Sequence, residues 1–184
     1  GIARDLAAYG LGTLKKIDFD KDKGEFESDL KWNIDLPDEK KYLCTKLIGR
    51  AFKNLKNLSS PFWMRNRLKA VGQRPISALV DITNYVMLDI GRPLHAYDLK
   101  KIKGKLLNVR LAKNGEKFNA LNGKTYDLKE NMLIIADELG PDDLAGIMGG
   151  ERTGIDENTT EMFLEIAIFS PSSISQTGRD LNLI

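Results

Sequence analysis

His95 is the only histidine among the 184 residues of the chain. Imidazole titrates close to neutral pH, so this side chain can exchange protons or form hydrogen bonds in a pocket. The sequence does not surround it with cysteines or carboxylates at the spacings of a zinc site, and it implies no metal. Two interpretations stay open from this residue: a capping or satisfied histidine at the end of a loop, and a pocket residue.

Glu165 is the one charged residue in the apolar segment MFLEIAI, residues 162–168. In a β-strand, alternate side chains share a face, so Phe163, Glu165 and Ala167 are predicted to point the same way. A carboxylate among apolar neighbours costs free energy unless it is solvated or has a partner. An exposed face and a partnered functional carboxylate are both consistent with this pattern.

Two further segments have residue types and spacings that suit ligand binding. Arg74 precedes Pro75 in a predicted turn before a helix, where it can steady a carboxylate or an RNA phosphate, or form a surface salt bridge. The segment AGIMGG, residues 145–150, lies where a strand meets a turn. Glycines there let a ligand or another backbone approach closely, although a simple turn explains them equally well. The sequence identifies no covalent nucleophile and no general base.

The secondary structure predicted to position these residues changes from mainly helices to mainly strands along the chain. Helices are predicted over residues 2–16, from Ser60-Pro61 to Gly72, over residues 77–88 and after Ser170-Pro171, with both serines as caps. Strands are predicted over residues 42–48, 105–112, 117–121, 124–128, 132–137, 144–148 and 161–168. Asn122-Gly123 predicts a tight hairpin with two positive φ angles. Helices followed by antiparallel strands predict an α+β fold, with a mixed, largely antiparallel sheet core and flanking helices.

Composition restricts the class of protein. The formal net charge is +2, so any RNA contact must come from a local patch, for which Arg65, Arg67 and Lys69 are candidates beside an ordinary exposed face. One cysteine allows no internal disulfide and predicts a cytoplasmic setting. No apolar stretch is long enough for a membrane span. Residues 17–40 are predicted to be a charged linker or hairpin edge, with a binding role as the alternative.

Read together, the motifs resemble one family. They are RPI at residues 74–76, VDITNYVML at 80–88, GRPLHAYD at 91–98, VRLA at 109–112, LAGIMGGE at 144–151, FLE at 163–165 and TGR at 177–179. This ordered set resembles the central editing domain of the β subunit of bacterial phenylalanyl-tRNA synthetase. The resemblance covers the whole chain, which is therefore expected to be a single domain cut from a longer subunit. An N-terminal helix and charged connector are expected over residues 1–40, and the main body over residues 41–184.

The resemblance implies hydrolysis of tyrosine wrongly attached to phenylalanine tRNA. A hydrophobic pocket rejects an added hydroxyl by only about 10²-fold, whereas a pocket built to bond that hydroxyl rejects phenylalanine far better. Glu165 and His95 match the family positions that do this. The resemblance also implies pocket roles for Thr83, Asn84, Ala145, Gly146, Gly149 and, at the rim, Arg74. The ester would be attacked by a positioned water, with the terminal adenosine and backbone donors helping to hold it.

The resemblance also implies partners, and the chain departs from the family in two places. The partners are the 3′ end of phenylalanine tRNA, the α subunit and the rest of the β subunit in an α₂β₂ assembly, with no membrane. No cofactor is expected for this domain, since ATP and Mg²⁺ act elsewhere in the synthetase. Ser77-Ala78 replaces the family's paired asparagines, and the last wall of the pocket is expected beyond Ile184. The alternatives are a tRNA-binding or scaffold module without chemistry, and a free-standing domain that edits in trans.

Overall fold

The computed structural model describes residues 1–16 and 23–183, which form an α+β fold of four α-helices, ten strands and one 3-10 helix. The helices are α1 (Ile2–Ala8), α2 (Phe62–Ala70), α3 (Ala78–Ile90) and α4 (Pro171–Asp180), and the 3-10 helix is Asp38–Leu43. The strands are β1 (Lys31–Ile34), β2 (Cys44–Phe52), β3 (His95–Asp98), β4 (Leu106–Leu111), β5 (Lys117–Asn119), β6 (Thr125–Asp127), β7 (Leu133–Ala136), β8 (Pro141–Leu144), β9 (Met148–Gly149) and β10 (Met162–Phe169).

Two sheets pack face to face around the main core. The larger has the strand order β1-β4-β7-β8-β9 and is antiparallel except for the β1–β4 pair. The smaller has the order β2-β10-β3 and is antiparallel throughout. Tyr97 and Phe163 from the smaller sheet share one buried cluster with Val109 and Ile135 from the larger. The predicted α+β class is confirmed.

The outer face of the smaller sheet is covered by α3. Leu79 of α3 forms a second buried cluster with Ala96 of β3 and Met162 of β10. Because side chains alternate along a strand, Ala96 and Met162 point away from the face that carries His95 and Glu165. The smaller sheet therefore lies between α3 and the main core, which is formed between the two sheets.

The charged stretch needs a correction. Residues 17–22 of the predicted linker lie outside the described residues, but Lys31–Ile34 is neither a linker nor a hairpin edge. It forms β1 and pairs in parallel with β4, with Trp32 opposite Leu107. The parallel partner of a strand is distant in the sequence, so no local turn sequence near β1 predicts its pairing with β4. The division of the chain at residue 40 stays a prediction.

Several predicted boundaries also change. The first helix ends at Ala8 instead of residue 16, and it buries no side chain against the body. The strand predicted over residues 144–148 is two strands, β8 and β9, separated by a turn in which Gly146 has φ +72°. The strand predicted over 42–48 begins at Cys44 and continues to Phe52.

The predicted capping serines and the hairpin turn differ in detail. α2 and α4 begin directly after Ser60-Pro61 and at Pro171, but neither Ser60 nor Ser170 caps its helix with a side-chain hydrogen bond. Asn122 and Gly123 do join β5 to β6, with positive φ at Gly123 and not at Asn122. The backbone N–H of Gly123 donates to Ala120, as in a longer turn that needs a single left-handed residue.

Candidate functional site

A cavity of about 220 Å³ opens between the smaller sheet, α4 and the turn after β8. A cavity of about 150 Å³ already holds benzene, so this one has room for a single substituted aromatic ring. Its walls are mostly apolar, and its polar groups come chiefly from His95, Glu165 and Arg92. The lining residues are Arg92, Pro93, Leu94, His95, Gly146, Glu165, Ala167, Ile168, Phe169 and Ile174.

Glu165 and His95 are brought together by strand pairing. His95 begins β3 and lies directly opposite Glu165 of the central strand β10. Directly opposed residues on antiparallel strands project their side chains to the same face. The predicted alternation of Phe163, Glu165 and Ala167 agrees with this register, because Phe163 and Ala167 pack in the core beside the cavity.

Glu165 is 5% exposed, and its Oε1 atom has no hydrogen-bond partner among the described residues. Burial away from water raises its pKa to about 8, and the nearby Asp143 carboxylate acts in the same direction. A carboxyl that keeps its proton at neutral pH can donate one hydrogen bond and accept another. An unpaired buried oxygen of this kind costs free energy until a ligand group bonds to it.

The His95 imidazole is held on two sides. Its ring meets Tyr97 edge to face, with centroids 4.4 Å apart, and its Nε2 lies 3.5 Å from Oδ2 of Asp143. Burial lowers the pKa of His95 to about 4, so the ring is neutral near pH 7. A neutral imidazole has one donor and one acceptor nitrogen, which suits it to bond a hydroxyl group.

Asp143 and Tyr97 form the layer behind His95, and no sequence motif predicted a role for either of them. The Tyr97 hydroxyl donates to Oδ2 of Asp143 over 3.2 Å, and burial raises the pKa of Asp143 to about 7. One signal was present, because Tyr97 is two residues after His95 and must share its face. The approach of Asp143 from the other sheet has no comparable local signal.

The glycine-rich turn forms another wall of the same site. A Cβ atom on Gly149 would lie 2.3 Å from Cε1 of His95, so only glycine fits there with the imidazole in its present position. A Cβ atom on Gly146 would lie 2.8 Å from Cδ1 of Ile174 at the cavity wall. Ala145 is buried in the core beside this turn.

The eight residues predicted for the pocket do not all lie at this cavity. His95, Glu165 and Gly146 line it, Gly149 contacts His95, and Ala145 adjoins Gly146. Three predicted residues do not line it: Arg74 lines a separate cavity with Arg65 and Lys69, and Thr83 and Asn84 lie on α3.

The hydroxyl of Thr83 donates to the Val80 carbonyl of its own helix over 2.7 Å. The roles of all eight residues stay predictions. Within residues 1–16 and 23–183, no group of three ligating side chains could hold a metal ion. The same residues contain no helix long and apolar enough to cross a membrane.

The sequence matches a known domain family. Residues 43–184 match the model of the B3/4 domain, and the chain belongs to that family.

Over its full length the chain is similar to phenylalanine–tRNA ligase β subunits. It is 52% identical to that of Brucella suis over 184 residues and 49% identical to that of Paramagnetospirillum magneticum over 184 residues, so the resemblance found in the motifs is confirmed. The chain spans 23% of the length of each of these relatives.

A solved structure shares the fold. It is the crystal structure of an N-terminal fragment of the phenylalanyl-tRNA synthetase β-subunit from Pyrococcus horikoshii, which matches with a TM-score of 0.54 and 14% sequence identity. The match covers 90% of this chain and 49% of that one. At this identity the likeness concerns the fold alone.

Proposed function

We propose that the chain is the editing module of a phenylalanyl-tRNA synthetase and that it hydrolyses tyrosine wrongly esterified to phenylalanine tRNA. One observation carries the proposal: the buried Glu165, whose Oε1 has no hydrogen-bond partner within residues 1–16 and 23–183, lies opposite His95 at a cavity with room for one aromatic ring. A phenol is the ligand that fills such a cavity and satisfies both polar groups.

Selectivity follows from the cost of leaving these groups unpaired. The tyrosine hydroxyl would bond to the Glu165 carboxyl and to the neutral His95 imidazole. Phenylalanine would fill the same volume but leave the buried carboxyl without a partner, which costs about 1–3 kcal/mol for each unsatisfied group. Sites built to bond a substrate hydroxyl reject the analogue that lacks it by about 10⁴- to 10⁵-fold.

Hydrolysis is assigned to a water positioned at the ester carbonyl, with the terminal adenosine and backbone donors helping to hold it. Placing the amino acid in a ring-sized cavity fixes the ester relative to that water. Neither a metal nor another cofactor has a role in this step. ATP and Mg²⁺ belong to aminoacylation elsewhere in the synthetase.

The proposed setting is a cytoplasmic α₂β₂ synthetase in which the chain forms part of the β subunit. Its partners are the α subunit, the rest of the β subunit and the 3′ end of phenylalanine tRNA. The identity to β subunits over the whole chain supports this setting.

The test is deacylation of tyrosyl-tRNA(Phe) by an assembled synthetase that carries this chain as its B3/4 domain. Glu165→Ala is expected to slow the reaction by about 10²-fold or more, since it removes the hydroxyl's partner. The matched control is Glu157→Ala, which removes an exposed carboxylate. Deacylation at the wild-type rate by Glu165→Ala would show that the pocket lies elsewhere.

A further inference from the structure

Positive charge is concentrated in one segment of the chain. Residues 51–80 contain six of the 28 lysines and arginines and none of the 26 acidic residues, so they carry +6 while the remainder carries −4. The net charge of +2 conceals this asymmetry. The segment holds α2, the turn after it and the start of α3. A basic stripe on one element is the electrostatic footprint of a polyanion-binding surface.

Three of these cations surround one cavity. Arg65, Lys69 and Arg74 line a cavity of about 280 Å³, which lies apart from the ring-sized cavity beside Glu165. In the described part of the chain, no carboxylate lies within ion-pair distance of any of the three. The Nε atom of Arg65 is buried and has no hydrogen-bond partner among the same residues. Three cations around one concave site, without an ion-pair partner in the described residues, favour an anionic occupant.

The one carboxylate at this cavity, Asp81, is already bonded. Asp81 is 1% exposed, and its two oxygens accept hydrogen bonds from the Ser60 hydroxyl and the Ile76 backbone N–H. These bonds fix the turn that carries Arg74 against the start of α3. Asp81 therefore helps to shape the site, and the cavity keeps an excess of positive charge.

Exposed aromatic side chains lie beside Arg67 on α2. Trp63 is 50% exposed and meets Tyr85 of α3 edge to face, with ring centroids 5.3 Å apart. The guanidinium of Arg67 lies 5.4 Å from the Trp63 ring centroid and donates to the Tyr85 hydroxyl over 2.6 Å. Phe62, at the start of the same helix, is 71% exposed. Exposed aromatic rings beside cations form the stacking platforms that bind unpaired nucleotide bases.

We infer that α2 and the turn up to Arg74 form a binding surface for single-stranded RNA, in which Arg65, Lys69 and Arg74 hold successive backbone phosphates and Trp63 stacks on a base. We identify the RNA as an aminoacylated 3′ end, and this part of the inference rests on the proposed function. It assigns Arg74 to the RNA backbone and not to the amino acid. An acidic peptide would match the charge, but it would leave the exposed aromatic rings without flat partners.

The test uses the 184-residue chain and a fluorescent single-stranded RNA of about eight nucleotides, a typical site size. The variant Lys69→Gln/Arg74→Gln removes two exposed cations, and Lys124→Gln/Lys129→Gln removes two exposed lysines elsewhere. The first variant is expected to bind about tenfold more weakly at low salt. The dependence of log K on log salt should flatten by roughly 1.4, which is 0.7 for each lost phosphate contact on a single strand. The control should match wild type.

Base stacking is tested separately with Trp63→Ala. It should lower the affinity by about tenfold, within the range measured for base–aromatic stacking, and leave the salt dependence unchanged. Competition with inorganic phosphate, AMP and a glutamate peptide distinguishes the occupants. RNA should compete far better than any of them.

Equal RNA binding by wild type and Lys69→Gln/Arg74→Gln would overturn the inference. The inference would also be overturned if inorganic phosphate competed as well as unlabelled RNA. The same holds if binding of a glutamate peptide depended on these cations while binding of RNA did not. The RNA is unacylated, so binding can be retained in Glu165→Ala whether or not that substitution abolishes hydrolysis. Failure of the proposed function is thereby distinguished from failure of this inference.

Discussion

His95 and Glu165 are direct cross-strand neighbours on β3 and β10, with both side chains on the face that meets the cavity. The register that pairs them also pairs Tyr97 with Phe163 in the core, so the site and the core are fixed together. A slip of one residue in β10 would turn Glu165 toward α3 and Phe163 out of the core. Core packing therefore holds the two polar groups in place.

The protonation of His95 can be measured directly because the chain has one histidine. Burial lowers the pKa of its imidazole to about 4 from an ordinary value of 6.5. In a proton NMR titration of the folded chain, we expect the Cε1–H signal of His95 to stay at its neutral position down to about pH 5. A midpoint near 6.5 in the folded chain would mean that the ring is solvated and would contradict the buried, neutral partner described above.

The stability of the fold should decrease as pH rises from 7 to 8. Burial raises the Glu165 pKa from 4.5 to about 8, so between these values the folded chain binds more protons than the unfolded chain. The resulting stabilisation is fully present below pH 4.5 and is lost as pH rises through 8. Between pH 7 and 8 this group lowers the free energy of unfolding by about 1 kcal/mol. His95 contributes little in this interval, since its imidazole is neutral in the folded chain and mostly neutral in the unfolded chain.

Denaturant unfolding at pH 7 and 8 checks this effect with two variants. The glutamine of Glu165→Gln cannot ionise. From pH 7 to pH 8, the free energy of unfolding of this variant should therefore fall by about 1 kcal/mol less than that of wild type. Glu157→Gln, which neutralises an exposed carboxyl, should behave as wild type. If the wild-type chain and Glu165→Gln changed in parallel with pH, the buried carboxyl would not be protonated at neutral pH.

Gly149 should be required for the position of His95 and not for the fold as a whole. In Gly149→Ala, the new Cβ would lie 2.3 Å from Cε1 of the imidazole, so the ring must move. A displacement of about 1 Å from productive geometry is expected to slow deacylation by on the order of 10²-fold. Deacylation of tyrosyl-tRNA(Phe) and thermal unfolding are measured together.

The matched substitution is Gly154→Ala, whose Cβ would meet its nearest neighbours at 3.3 to 3.5 Å and away from His95. It should retain activity. Full activity in Gly149→Ala, with the imidazole signal at its wild-type position, would show that the contact does not position His95.

The sequence predicted those features that depend on local signals. Alternation along residues 162–168 placed Glu165 on the same face as Phe163, and the prolines at 61 and 171 marked the starts of α2 and α4. The motifs identified the family. These succeed because side-chain alternation and the fixed φ of proline act over a few residues.

Features that depend on distant partners were missed. β1 pairs with β4 across about 75 residues, and nothing in its own sequence, KWNI, indicates a parallel partner. Asp143 follows Asp142 in a segment that suggests a polar surface, yet Asp143 is buried because Tyr97 approaches it from the other sheet. Arg74 has the motif of a pocket residue, but it lines the cavity with Arg65 and Lys69 and not the ring-sized cavity. Such placements require the packed fold.

The most direct measurement is the ratio of deacylation rates for tyrosine and phenylalanine esterified to the same tRNA, in wild type and in Glu165→Ala. We predict a wild-type preference for tyrosine of about 10⁴-fold or more, and a ratio of about 10 or less once the carboxyl is removed, because phenylalanine then no longer leaves that buried carboxyl without a partner. A tyrosine preference that survives Glu165→Ala unchanged, in a synthetase of wild-type stability, would contradict it.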